Sequence, residues 1–162
     1  MSCWSSGERT MAQVSSVGEA IELAISREIQ SAEFYTDLAG RMKTVGMREL
    51  FERLASEELE HKGRLELELM KEGLVAETLG RLVDVGPAGY SADLPDEDKL
   101  EYKDVLELAI RKERLSFRFY AQLSGLIGES EVQEVLLELA EEEARHVVLF
   151  EMEYNRTVAR DE

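Results

Sequence analysis

The chain has 162 residues, 33% of them charged, and its 35 acidic against 19 basic side chains leave a net charge of −16. Such a surface repels phosphate backbones and anionic bilayers, so neither nucleic acid nor a membrane is expected as a partner. The lone cysteine, Cys3, excludes an internal disulfide and a metal site built from four thiolates, and no apolar run approaches the ~20 residues of a membrane span. The first residues carry neither the basic run nor the apolar core of a secretory signal, so a cytoplasmic location is expected. The length suits one domain, and a mixture rich in Glu, Leu, Ala and Arg with only two prolines favours long amphipathic helices.

Residues 1–15 are small, polar and aperiodic, and read as a flexible N-terminal segment. Ser16-Val17-Gly18-Glu19 has the form of a capping box. The helix it opens runs to about Lys43, with Ile21, Ala24, Ile25, Ala32, Tyr35, Leu38, Ala39 and Met42 on one stripe. A second helix is expected from Met47 to Gly73, buried through Leu50, Phe51, Leu54, Ala55, Leu65 and Leu69. Residues 74–97 hold both prolines and three glycines, and are too long for a hairpin turn. They read as a crossover, with a short helical piece near Ala76–Val83.

A third helix is expected from Asp98 to Leu126, with Leu106, Ala109, Ile110, Phe117, Tyr120, Leu123 and Ile127 turned inward. Ser130-Glu131-Val132-Gln133 is a second capping-box pattern, and the helix it opens continues to about Thr157. The two halves repeat: residues 18–68 fall on 103–153 at an offset of 85 without a gap, and 18 of the 51 positions are identical. The expected fold is therefore all-α, a four-helix bundle of the ferritin-like kind over 16–158. It consists of two repeated helix hairpins, 17–73 and 98–157, joined by the 74–97 crossover.

The repeat carries polar residues as well as apolar ones. Glu28, Glu58 and His61 return as Glu113, Glu143 and His146, and these are the only histidines in the chain. Each of the six falls in phase with its helix's apolar stripe and near the middle of its helix. The Glu-x-x-His spacing puts both side chains on one face. Four buried carboxylates without compensation would be strongly unfavourable, whereas two divalent ions supply +4 against −4. Carboxylate-rich ligation with one imidazole per ion suits iron or manganese, with zinc a less natural occupant. One Glu from each of two helices plus Glu-x-x-His from the other two is the ligand pattern of two-metal carboxylate bundles. Tyr35 and Tyr120 follow Glu28 and Glu113 by seven residues, and as inward aromatics read first as core. Glu57, Glu60, Glu141 and Glu142 read as solvated helix faces.

Over about residues 18–155 the sequence resembles the rubrerythrin and ferritin-like di-iron family. The resemblance rests on Glu28 with Tyr35, Glu58-x-x-His61, Glu113 with Tyr120, and Glu143-x-x-His146. It implies two iron ions per chain, with Glu28 and Glu113 as terminal ligands, Glu58 and Glu143 as bridges, and one histidine on each ion. It also implies that Tyr35 and Tyr120 hydrogen-bond toward the ligands; no further catalytic or cofactor-binding residue is implied. Full-length rubrerythrins carry a four-cysteine rubredoxin-like domain, and many have an extra metal-site glutamate where this chain has Ser116. The ligand set here is the symmetric six-residue version. The expected activity is that of a di-iron oxidoreductase, in which a ferrous pair reacts with hydrogen peroxide or O2 in oxidative-stress defence. A separate electron donor such as a rubredoxin-like protein and a homo-oligomer, dimer or larger, are expected partners. Iron storage with ferroxidase activity, a helical module with structural metals, and a manganese catalase-like activity are the alternatives.

Overall fold

Three of the four helices open on a side-chain cap that satisfies an amide of the first turn. The computed structural model describes residues 11–72, 78–84 and 101–161. Ser16 holds an extended backbone and its Oγ accepts from the Glu19 amide at 3.1 Å, while the Glu19 carboxylate accepts from the Ser15 amide at 2.7 Å. This capping pair opens α1 (Val17–Arg41). Thr44 Oγ1 accepts from the Met47 amide at 3.3 Å and opens α2 (Val45–Glu72) two residues before the expected start. Beyond the connection lie α3 (Tyr102–Leu126) and α4 (Glu131–Asp161). Ser130 Oγ accepts from the Gln133 amide at 3.2 Å. Gln133 does not reach back toward the cap. Its side-chain Nε2 donates to the carbonyls of Ser124 and Ile127, both at 2.9 Å, and so closes the end of α3 onto the start of α4.

The chain belongs to the expected architecture: α1 packs along α2, α3 along α4, and the two hairpins meet face to face. One element differs from expectation. Residues Met11–Ser16 form a strand, β1, and Thr78–Asp84 form β2. The two pair antiparallel from Met11↔Asp84 to Ser16↔Thr78, with an irregularity between Val14 and Ser16. The tail of the segment read as flexible is thus a strand, and its partner takes residues 78–83 of the piece read as helical near Ala76–Val83. The remainder of residues 1–15 and of the 74–97 crossover lies outside the described residues. Val14 gives β1 an anchor, because it is buried in the same apolar cluster as Val17, Ala20 and Ile21.

The core divides into two apolar clusters, one toward each end of the bundle. The first gathers Ile21, Ala24, Leu65, Tyr120, Leu123, Leu136 and Leu139; the second gathers Tyr35, Leu38, Phe51, Leu54, Leu106, Ala109 and Phe150. Between them every helix presents buried polar side chains. Phe117, expected inward, is instead 42% exposed, and Lys112, Glu113 and Ser116 take the inner face of α3 at that level. In the second cluster Tyr35, Phe51 and Phe150 stack with ring centroids 6.0 Å apart in each pair. Phe51→Ala should therefore lower unfolding free energy by ~3–5 kcal/mol. Chemical denaturation of the whole chain measures this, and a loss below ~1 kcal/mol would contradict a closely packed triad.

Candidate metal centre

Glu28 comes from the middle of α1, Glu58 and His61 from α2, Glu113 from α3, and Glu143 and His146 from α4. All six are buried and converge in the layer between the two apolar clusters. They form two overlapping sets of close donor atoms, Glu28–Glu58–His61–Glu143 and Glu58–Glu113–Glu143–His146. Glu58 and Glu143 belong to both. The imidazole rings face each other with centroids 6.1 Å apart and planes within 14°. His61 Nδ1 lies 3.3 Å from Glu143 Oε1 and 3.6 Å from Glu28 Oε1. Across the pseudo-twofold axis His146 Nδ1 lies 3.3 Å from Glu143 Oε2 and 3.6 Å from both Glu58 Oε1 and Glu113 Oε2.

The donor set fits a pair of cations. Glu28 Oε2, Glu58 Oε1, His61 Nδ1, Glu113 Oε2 and Glu143 Oε1 are buried with no hydrogen-bond partner among the described residues. Orphaned carboxylate oxygens at this depth are costly unless a cation meets them. With the protein's own groups alone the strain is visible in the proton affinities. Burial, then Glu143 and Glu28, push the Glu58 carboxyl well above its ordinary range. Burial would lower the histidines, but Glu143 and Glu28 hold His61 up at about 11, and Glu113 and Glu143 hold His146 up at about 10. Glu113 is the exception: burial pushes it up, yet Lys112, Glu143 and His146 together draw it well below the carboxylate range.

A second set of contacts crosses between the hairpins. Tyr35 on α1 donates its hydroxyl to Glu113 Oε1 on α3, and Tyr120 on α3 donates to Glu28 Oε1 on α1. Burial and the adjacent carboxylates raise both phenols well above 10, so they stay protonated donors. On the other helix pair, His61 Nε2 on α2 meets Glu142 Oε2 on α4 at 2.5 Å, and His146 Nε2 on α4 meets Glu57 Oε2 on α2 at 2.6 Å. Each outer nitrogen thus has a carboxylate, which leaves Nδ1 directed at the centre. Arg64 Nη1 donates to Glu142 Oε1 at 2.9 Å and holds that carboxylate in place.

Glu57 and Glu142 correct the solvated-face reading: their side chains are only 37% and 33% exposed, whereas Glu60 and Glu141 are exposed as expected. A signal was present in the sequence, since Glu57 and Glu142 are themselves one of the pairs matched at the 85-residue offset. Lys112 was also missed. It is fully buried, with Nζ 3.1 Å from Glu113 Oε1, 3.4 Å from Glu58 Oε2 and 4.5 Å from the centre of the Tyr35 ring.

A four-helix bundle with a buried layer of four glutamates and two histidines, two of the glutamates shared between both donor sets, is the architecture of a two-metal carboxylate protein. The chain belongs to the rubrerythrin family, whose model matches residues 19–154. Among solved structures it is similar to a hypothetical protein from Pyrococcus furiosus, at 25% identity and TM-score 0.62, covering 85% of this chain and 87% of that one. It also shares the fold of a manganese catalase from Anabaena PCC7120, at 15% identity and TM-score 0.63, covering 91% of this chain and 76% of that one. No curated protein matches it. Family and donor cluster together make this a di-metal-binding protein. No helix among the described residues is long and apolar enough to cross a membrane.

If Glu142 and Glu57 orient the imidazoles, Glu142→Ala and Glu57→Ala should each weaken metal binding ~10–100-fold. Helical circular dichroism should be unchanged. Competition titration against a chromophoric chelator measures the affinities, and wild-type values in both variants would refute the orienting role.

Proposed function

We propose that Glu28, Glu58, His61, Glu113, Glu143 and His146 hold two iron ions and that the protein is an oxidoreductase reducing hydrogen peroxide or O2. The observation that carries this reading is the pair of overlapping donor sets, with five orphaned buried atoms facing inward. Two ferrous ions would supply the electrons for reduction of the oxidant. The chain's own groups position the centre. Glu143 presents one oxygen toward each histidine, and the tyrosine hydroxyls fix the outer glutamates through Oε1. The apolar clusters above and below keep bulk water from the ends of the site. The 162 residues hold one cysteine, too few for a four-cysteine iron centre, so re-reduction draws on a donor outside these residues, of the rubredoxin-like kind.

Peroxide disproportionation on a manganese pair is the second reading, favoured by the shared fold with the Anabaena enzyme. Anaerobic loading should give about two ions per chain. Glu58→Ala and Glu143→Ala should each lose the magnetically coupled pair, and full two-iron occupancy in both would refute the ligand assignment. Stopped-flow mixing of the ferrous protein with peroxide, and separately with O2, should show rapid oxidation. O2 release by the manganese-loaded protein in place of this would favour the second reading. A spectrum that neither oxidant changes would mean structural metals, and a cage-sized native particle would mean iron storage.

A further inference from the structure

The 85-residue pseudo-symmetry relates Glu28 to Glu113, Tyr35 to Tyr120, Glu57 to Glu142, Glu58 to Glu143 and His61 to His146, with the same residue type in each pair. It breaks at the basic residue preceding the first glutamate, which is Arg27 in one half and Lys112 in the other. The two also point differently. Arg27 donates to Ser116 Oγ at 3.3 Å and lies 4.5 Å over the Phe119 ring. Lys112 lies over Tyr35, and its ammonium reaches Glu113 and Glu58. The packing around Tyr35 differs in the same sense. Phe51 and Phe150 stack on it, while their counterparts in the cluster holding Tyr120 are Leu136 and Leu65.

Lys112 therefore touches two of the four donors in the Glu58–Glu113–Glu143–His146 set, but only one in the Glu28–Glu58–His61–Glu143 set. Glu113 Oε1 accepts from both the Tyr35 hydroxyl and the Lys112 ammonium, which leaves Oε2 for an ion. Of the two shared carboxylates, Glu143 turns one oxygen toward each histidine, whereas Glu58 turns Oε1 toward His146 and Oε2 toward Lys112. A fixed positive charge in a fully buried position opposes a divalent cation most strongly where it is closest.

We propose that Lys112 makes the two metal positions unequal, so that the Glu28–His61 position fills before the Glu113–His146 position. The inference rests on the ligand reading above. One ion sits at the first position at low metal, and the second enters against the Lys112 charge and in competition with it for Glu113, whose Oε1 already accepts from the ammonium.

The test is a titration of the metal-stripped full chain with Mn(II), followed by calorimetry and electron paramagnetic resonance. One equivalent should give the spectrum of an isolated Mn(II) and two equivalents that of a coupled pair. The two dissociation constants should differ on the order of tenfold or more. Lys112→Met, which keeps the length of the side chain, should narrow that separation. Glu28→Gln should abolish the tight step, and Glu113→Gln should abolish only the weak one. The proposal is overturned if the coupled-pair signal grows from the first equivalent, if Glu113→Gln removes the tight step, or if Lys112→Met leaves the separation unchanged. Should Lys112→Met not fold, the two glutamine variants still decide. Failure of the wild-type chain to bind Mn(II), or two-ion binding indifferent to both glutamine variants, would instead overturn the ligand reading on which the inference stands.

Discussion

Four glutamates brought to one level inside a helical bundle are the constraint on which the rest of this structure depends. Left to themselves they repel, and each lacks the water it would have at a surface. The surrounding groups answer that repulsion. Two tyrosine hydroxyls, two imidazoles and one ammonium converge on the carboxylates, while four inward carboxylate oxygens keep lone pairs for cations. The apolar clusters sit above and below the layer, so the unfavourable burial is confined to a thin polar slab in an otherwise hydrophobic core.

The same contacts join the two hairpins. Within a hairpin the helices pack along most of their length, but α1 touches α3, and α2 touches α4, much more sparingly. The tyrosine–glutamate bonds cross between α1 and α3 in both directions, and the histidine–glutamate contacts cross between α2 and α4 in both directions. Site geometry and hairpin docking are consequently coupled. A shift of one hairpin against the other would disturb all four crossing contacts at once, and metal binding across the seam would oppose that shift.

Much of this was legible in the sequence because it is periodic. Helical phase put Glu28, Glu58, His61, Glu113, Glu143 and His146 on inward faces, and the repeat put them at one level. What escaped was non-local or ran against residue type. β1 and β2 pair across more than sixty positions, and neither segment has enough alternation of its own to announce a strand. Lys112 occupies an inner position where a lysine is rarely found, so Phe117 was the more natural choice for the stripe. Glu57 and Glu142 lie beside the inward face; only the reach of an imidazole from the opposite hairpin turns them from surface charges into parts of the centre.

The mismatch between Arg27 and Lys112 has a consequence for how such a chain differs from a pair of identical hairpins. A homodimer with exact twofold symmetry must place the same side chain beside both metals, because any substitution is copied across the axis. Joining the two hairpins in one polypeptide removes that obligation. Lysine on one side with arginine on the other, and Phe51 and Phe150 answered by Leu136 and Leu65, are arrangements open only to the fused chain. Duplication within one gene product thus converts a centre bound to equivalence into one whose halves can diverge residue by residue.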